Sequence, residues 1–353
     1  RKEARHMDRF AQLAVAASIQ AMEQAELKVD HTNENDVGVL LGSGIGGLTT
    51  LSEQLRILQE RGPDRVSPFL APMMIGDAAP GQVSIALKVK GPNFCTTSSC
   101  SSSADAIGEA FEIIRRGDAQ AMIAGGSEAI INPIGVAAFN ATGALSTRNH
   151  EPQKASRPFD AKRDGFVLGE GAGVLILEEL TMALGRGAPI LAEIMAYGAS
   201  SDAYHVTQPA KEGEGAARAM RLAIKKAGLS PADIDYINAH GTSTILNDKY
   251  ETMAIKSVFG TDAYRIPISS TKSMMGHLIG GAGSTEAAIC ILAIRHGMIP
   301  PTINLTHPDP ECDLDYVPDR ARQARVRTAL SNSFGFGGHN SVLIIREYTE
   351  AQA

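Results

Sequence analysis

The sequence predicts an α/β protein built from two duplicated halves, and three observations carry that reading. Short hydrophobic runs alternate with helical patterns along the whole chain. The runs are apolar at successive positions rather than at every second one, which is the pattern of strands covered on both faces of a sheet. One strand-and-turn segment also recurs. Phe166-Val-Leu-Gly-Glu-Gly-Ala-Gly-Val-Leu-Ile-Leu-Glu-Glu179 and Phe334-Gly-Phe-Gly-Gly-His-Asn-Ser-Val-Leu-Ile-Ile-Arg-Glu347 share a Phe, a glycine-rich turn, a hydrophobic run and a closing Glu, 168 residues apart. A second echo pairs the helical run ending Arg115-Arg116-Gly117 with the one ending Arg295-His296-Gly297, 180 residues apart. Two matches at similar offsets point to a duplicated unit. We expect an N-terminal half over 1–180 and a C-terminal half over 181–353.

The elements follow in order. Residues 8–27 place apolar side chains at helical spacing. The run Asp36-Val-Gly-Val-Leu-Leu41 reads as a buried strand, followed by a glycine turn at 42–47 and a helix to about Glu60. A Gly91-Pro92 turn and a short strand precede a helix over 104–116, which Gly117 stops. Strands are expected at 120–124, 172–178, 234–238 and 341–346, and a helix at 213–227. The stretch 148–164, rich in proline and charge, reads as a surface excursion between the halves.

Composition excludes several classes of function. The chain has 353 residues with 33 basic against 39 acidic side chains, a net charge of −6. Interspersed charge of this sign concentrates no positive potential, so neither nucleic acid nor a membrane surface is an expected partner. No apolar run reaches the roughly 18 residues that a membrane span needs. The four cysteines, Cys95, Cys100, Cys290 and Cys312, are too few for a disulfide framework in a chain this long and have no zinc-pair spacing. A reducing, cytoplasmic setting is the expectation. Glycine is abundant at 35 residues and clustered, which places tight backbone turns around a site.

Three such turns carry candidate chemistry. Cys100 sits in Thr96-Thr-Ser-Ser-Cys-Ser-Ser-Ser103, between a strand and a helix. A thiol at a helix N-terminus feels unpaired amide N–H groups and the positive end of the dipole, and both favour the nucleophilic thiolate. The competing reading is a small buried apolar cysteine. His240 ends a strand in Ile237-Asn-Ala-His-Gly-Thr-Ser-Thr244, where α/β sheets place ligands. His277 lies in Ser270-Thr-Lys-Ser-Met-Met-Gly-His-Leu278, ahead of the Gly280-Gly-Ala-Gly283 turn into a helix. Lys272 could order that loop by pairing with an acid, and Glu286 on the following helix is the nearest candidate. The third turn, Asn332-Ser-Phe-Gly-Phe-Gly-Gly-His-Asn340, could aim backbone N–H groups at an oxyanion while a ring acts as a gate, or could be a hairpin that packs two phenylalanines. Gly42-Ser-Gly-Ile-Gly-Gly47 fits the dinucleotide pattern G-x-G-x-x-G, but the acid expected about 20 residues on is missing from a second strand. We read it as a tight turn beside the site.

In this order, these segments resemble the β-ketoacyl-acyl carrier protein synthases, the decarboxylating condensing enzymes of the thiolase superfamily, and most closely the synthase II type. Leu145-Ser-Thr-Arg-Asn149, Ser156-Arg-Pro-Phe-Asp160, Arg163-Asp-Gly-Phe-Val-Leu-Gly169 and Pro300-Pro-Thr-Ile-Asn304 extend the match over essentially the whole chain. The resemblance implies a thiolase-like fold of two βαβαβ-type halves in five αβαβα layers, with an opening strand and helix that would precede Arg1. It implies that Cys100 takes an acyl chain from acyl carrier protein, and that His240 and His277 stabilise the enolate left when a malonyl-carrier thioester loses CO₂. The N–H groups of Cys100 and Phe336 would hold the oxyanion, Lys272 and Glu286 would organise the site, and Phe336 would be the gate. Thr242 and Thr244 would bind the phosphopantetheine arm. Ile45, Gly135 and Phe139 would line the acyl tunnel, and Phe334 would contact substrate.

The same resemblance implies a homodimer, a docking patch containing Lys2, Arg5 and Arg65, and no resident cofactor or metal, since phosphopantetheine arrives on the carrier protein. The chemistry agrees independently of the name, because decarboxylation supplies the driving force and asks only for hydrogen-bond donors at an enolate oxygen. Two alternatives are a non-catalytic chain-length partner subunit, which would lack the nucleophilic cysteine, and a thiolase, which would carry a second cysteine near the C-terminus.

Overall fold

The computed structural model describes residues 3–350, so Lys2 of the expected docking patch lies outside the described residues. The helices, in chain order, are α1 Arg9–Ala25, α2 Leu48–Arg61, α3 Leu70–Met74, α4 Ala78–Leu87, α5 Ser102–Arg116, α6 Pro133–Ala141, α7 Leu180–Gly185, α8 Glu214–Lys226, α9 Ile245–Phe259, α10 Lys272–Met275 and α11 Ala282–His296. The strands are β1 Val37–Gly42, β2 Asn93–Thr96, β3 Ala121–Glu128, β4 Gly171–Glu178, β5 Glu193–Ser201, β6 Tyr236–Asn238, β7 Ile268–Ser269, β8 Met298–Ile299, β9 Arg322–Gln323, β10 Thr328–Gly335 and β11 His339–Arg346. Among the described residues no helix is long and apolar enough to cross a membrane.

The chain packs into two units. The first holds residues up to Ala138 together with Glu170–Pro189 and Leu278–Thr285; the second holds Phe139–Gly169, Ile190–His277 and the chain from Glu286 onward. A cut at 180/181 therefore describes the halves in chain order, while the packed units exchange the segments 139–169 and 278–285.

In the first unit the sheet order is β2-β1-β3-β4, with β1 parallel to β2 and β3, and β4 antiparallel to β3. β1 and β3 are buried at every position, as their unbroken apolar runs require. β4 is only half-buried throughout, contrary to the expectation from its equally apolar sequence. It is the last strand of the sheet and has a neighbour on one side only. Phe10, Ala11, Ala14 and Met22 form the buried face of α1. Asp8 caps that helix through Phe10 N–H and also accepts the Thr50 N–H in the first turn of α2, whose own cap residue is Gly47 and has no side chain to offer. One carboxylate thus caps two helices.

In the second unit the order is β5-β11-β10-β6-β7. β6 is parallel to both β7 and β10, and β11 is antiparallel to β10 and to β5. A core of Met220, Ala223, Ile237, Ile255, Leu330, Val342 and Ile344 fills the space between this sheet and helices α8 and α9.

The stretch 148–164 meets the surface expectation at 149–150, 152–154 and 161–162, which are exposed, and corrects it in between. Residues 155–160 are all buried in the second unit. Their charges are neutralised in place: Arg157 Nε lies 3.0 Å from Asp160, and Arg163 lies 2.6 Å from Asp309 and 3.5 Å from Asp248. Sequence shows the charges but not the partners that make their burial tolerable.

Candidate active site

The nucleophile turn belongs to the first unit. β2 ends at Thr96, Ser99 takes a left-handed backbone (φ +54°), and Cys100 sits in a single helical turn that leads into α5. A non-glycine residue in that region costs roughly 1–3 kcal/mol, so the surroundings must enforce it. They are hydroxyls. Ser102 Oγ accepts the Ser98 N–H at 2.9 Å and donates to Ser99 O at 2.7 Å. Ser101 Oγ donates to Ser98 O, Thr96 Oγ1 donates to Ser102 O, and Ser98 Oγ donates to Asp105. The serines around the cysteine are the wiring of the turn. Cys100 is 7% exposed at the start of the helix. β1 ends in Gly42 and β3 carries Gly126 two residues before its end, and a Cβ on either would run into the α5 N-terminus at Ser102 or Ser103, so glycine is what lets the turn settle on the sheet.

The histidine cluster belongs to the second unit. His240 follows β6 and is 2% exposed; His277 follows α10 and is 1% exposed. Their rings meet edge-on with centroids 5.4 Å apart. Buried Glu251, on α9, accepts the backbone N–H groups of His240 and Gly241 at 2.8 and 2.7 Å and the Asn332 side-chain amide at 3.0 Å. The backbone of His277 is clamped to a neighbouring segment, its N–H on Val167 O and its carbonyl on the Gly169 N–H.

Electrostatics fix the protonation of both rings. Burial, reinforced by Lys272, holds the pKa of each histidine well below its ordinary value, and His277 adds to the effect on His240. Lys272, itself buried, pairs with buried Glu286, and its Nζ lies 3.4 Å from His240 Nδ1. An ammonium can only donate, so Nδ1 accepts and the His240 proton resides on Nε2. The pair is therefore neutral, with His240 set as an Nε2–H donor. Burial raises the Glu286 pKa even against Lys272.

The remaining predicted residues divide between the units. A row of rings in the second unit runs from Phe139 to Phe166 (5.7 Å), Phe166 to His277 (5.3 Å) and His240 to Phe334 (5.6 Å). Phe336 stands at the β10–β11 turn and, with Phe334, Glu251, Thr207 and Asp202, lines a depression in that unit. Thr242 and Thr244 hydrogen-bond each other at 2.9 Å. Ile45 and Gly135 belong to the first unit. Ile45 is 42% exposed on the glycine turn, and Gly135 has backbone where a Cβ would be, at Ile130 O.

The structure adds Glu128, Glu251, Asp248 and Phe166, which sequence reasoning missed. Each acid occurs singly in an unremarked context, although Glu128 and Asp248 fall at a strand end and in the first turn of a helix. In the second unit Asn238 Oδ1, Asn332 Oδ1 and Glu286 Oε2 are buried without a hydrogen-bond partner, and acceptor oxygens of this kind suit an ordered water or a hard cation.

Comparison with known proteins agrees along the whole chain. Residues 1–183 match the β-ketoacyl synthase N-terminal domain and 191–306 the C-terminal domain. The chain is 54% identical over 348 residues to 3-oxoacyl-(acyl-carrier-protein) synthase 2 of Synechocystis sp., covering 99% of this chain and 84% of that protein. It is 51% identical over 348 residues to the enzyme of the same name from Staphylococcus aureus, with the same coverage. Among solved structures, a β-ketoacyl synthase from Burkholderia phymatum superposes with a TM-score of 0.93 at 41% identity, covering 99% of this chain and 85% of that one. A type II PKS acyl-carrier protein in complex with its ketosynthase, bound to the hexaketide, gives 0.93 at 38% identity over 96% and 85%.

Proposed function

The chain belongs to the β-ketoacyl synthase family with a thiolase-like α/β fold, and on that premise we propose that it is a 3-oxoacyl-acyl-carrier-protein synthase of the synthase II type. The observation that carries the reading is the buried, neutral histidine pair with Lys272 on His240 Nδ1. Neutral imidazoles can donate to an enolate oxygen, whereas a general base for thiolase-type proton abstraction would gain nothing from a pKa held this low.

The reaction has two halves. Cys100 Sγ attacks the thioester carbonyl of an acyl-carrier substrate, its proton passes to the departing phosphopantetheine sulfur, and the acyl chain becomes a cysteine thioester. A malonyl-carrier thioester then binds with its carbonyl oxygen on the His240 and His277 ring N–H groups. The bond to the carboxylate breaks, CO₂ leaves, and the electron pair is held as the enolate. The α-carbon attacks the acyl carbonyl on Cys100, the oxyanion rests on the Cys100 and Phe336 N–H groups, and the tetrahedral adduct collapses with the cysteine sulfur as leaving group. The product is a 3-oxoacyl-carrier thioester.

In this scheme Thr242 and Thr244 present hydroxyls to the phosphopantetheine arm, Phe336 gates between the two half-reactions, and Ile45, Gly135 and Phe139 line the acyl channel. No step calls on a metal or nucleotide. Acyl carrier protein is the partner, consistent with the carrier bound to the ketosynthase of the similar solved complex. A homodimer and a cytoplasmic setting, where the nucleophilic thiol stays reduced, complete the reading.

Mass spectrometry of the intact protein after incubation with acyl-carrier proteins tests it. One acyl adduct is expected on Cys100. Cys100→Ala should remove the adduct and lower condensation by at least about a thousandfold, while malonyl decarboxylation persists because the histidines carry it. An adduct that survives Cys100→Ala would overturn the proposal.

A further inference from the structure

Glu128 is a wholly buried acid that the reaction above does not use. It ends β3, and three groups converge on its carboxylate. The Gly44 N–H donates at 2.7 Å, the Gly280 N–H at 3.1 Å and the Ser43 hydroxyl at 3.0 Å. The Ile45 N–H also faces it. Two glycine turns far apart in the sequence, 42–47 and 279–281, are thus gathered on one side chain within the first unit. Burial pushes the pKa up to about 7, against the donors that favour the charged form.

The first of these turns is tied at its two ends, by the Ser43 N–H on Thr96 O (3.2 Å) and the Gly47 N–H on Met74 O (3.0 Å), and between those ties the Gly44 and Ile45 N–H groups face Glu128. Four of its six residues are glycine and offer no side chain for packing. Ile45 is exposed, so its own burial does not fix it. Ser43 links the clamp to the turn by also accepting the Gly46 N–H at 3.0 Å. The fit is close: a Cβ on Gly44 would lie 2.8 Å from Glu128 Oε2 and 3.1 Å from Ile279 Cγ2.

We propose that Glu128 is a positioning residue for acyl-chain selection, its carboxylate fixing the glycine turn that presents Ile45 to the acyl channel. The proposal rests on the reading of Ile45 as a channel residue in a condensing enzyme. Glu128 acts through backbone N–H groups and touches no reacting atom. An amide in its place can keep one oxygen for the Gly44 and Gly280 N–H groups but loses the charge that strengthens those bonds and the acceptor for the Ser43 hydroxyl, so the hold on the turn is weakened.

The test compares acylation rates of Cys100 by hexanoyl- and tetradecanoyl-carrier proteins in the wild type, in Glu128→Gln and in Ser43→Ala. The ratio of the two rates in the variants should move from the wild-type value by about tenfold, the effect of losing one charge-assisted hydrogen bond at the turn. Ser43→Ala, the milder change, keeps the proposal testable should Glu128→Gln fail to fold. A ratio equal to that of the wild type, or rates lowered by the same factor for both chain lengths, would reduce Glu128 to a stabilising residue and overturn the inference. Absence of any adduct on the wild-type protein would instead overturn the condensing-enzyme reading beneath it.

Discussion

The two units carry the same strand plan with different chemistry at the same place. Reading outward from one edge, β2-β1-β3-β4 in the first unit corresponds to β7-β6-β10-β11 in the second, with three parallel strands and then an antiparallel one. In both, the edge strand leads on to a fifteen-residue helix, through one helical turn at Ser99–Ser101 to α5 and by way of α10 and Ile279–Gly281 to α11. The first turn presents Cys100 among hydroxyls, and the second presents Lys272 and His277 ahead of Glu286. Each unit also buries one carboxylate under its glycine turn, Glu128 on the N–H groups of Gly44 and Gly280, and Glu251 on those of His240 and Gly241. The lesson is that a duplicated scaffold supplies two strand-to-helix connections at corresponding places, a short one in the first unit and a longer one in the second. Side chains then divide the labour, a strained hydroxyl-wired turn for the nucleophile and a buried ion pair for the two neutral rings.

The sharpest way to break the comparison is at the ion pair, which has no equally buried counterpart among the described residues of the first unit. Lys272→Met leaves Glu286 buried without its partner and removes the group that sets the His240 tautomer. It should cost about 3–5 kcal/mol of stability in chemical denaturation, and lower malonyl decarboxylation by about a hundredfold. Replacing both partners by apolar residues should recover much of the stability but not the decarboxylation, which separates the structural from the electrostatic role.

A second probe tests how closely the nucleophile turn sits on its sheet. Gly42→Ala places a methyl group against the Ser102 backbone, where neither side can yield cheaply. A loss of about 1–3 kcal/mol is expected from the shift in midpoint of a denaturant titration, together with slower acylation of Cys100 and unchanged decarboxylation. Equal losses in both half-reactions would show that the two turns are not separable.

The smallest effect concerns the matched acids. Glu128 and Glu251 are pushed up to about 7 from an unfolded value near 4.5, in both cases chiefly by burial, with Asp248 adding to the effect on Glu251. Between those values the folded chain holds more protons than the unfolded one. Each acid therefore makes unfolding easier as pH rises from about 4.5 to 7, and adds nothing further above that. Thermal melts across this range should show a shallower fall with pH in Glu251→Gln than in the wild type. An unaltered slope would mean that Glu251 does not titrate there.

The sequence by itself determined the α/β class, the recurring segment and the candidate chemistry-bearing side chains, but only some of the elements: β5, β7, β10, α4 and α9 carried no expectation. The repeat between residues 166–179 and 334–347 falls on β4 and β11 at the same offset, 171 to 339 and 178 to 346, because hydrophobic runs and glycine turns are local signals that chain order preserves. Cys100, His240 and His277 were legible for the same reason, each beside its own glycine or hydroxyl turn. Tertiary structure alone decided three things. β4 is half-buried whereas its twin β11 is covered, since β5 pairs with the free edge of β11, and pairing is not written in the strand. Residues 155–160 and Arg163 of the charged stretch 148–164 are interior, and Asp248 and Asp309, distant in sequence, meet Arg163 there. The clamping acids Glu128 and Glu251 act on backbone N–H groups remote along the chain, and a backbone donor leaves no mark in the sequence; only the folded chain shows which carboxylate it reaches.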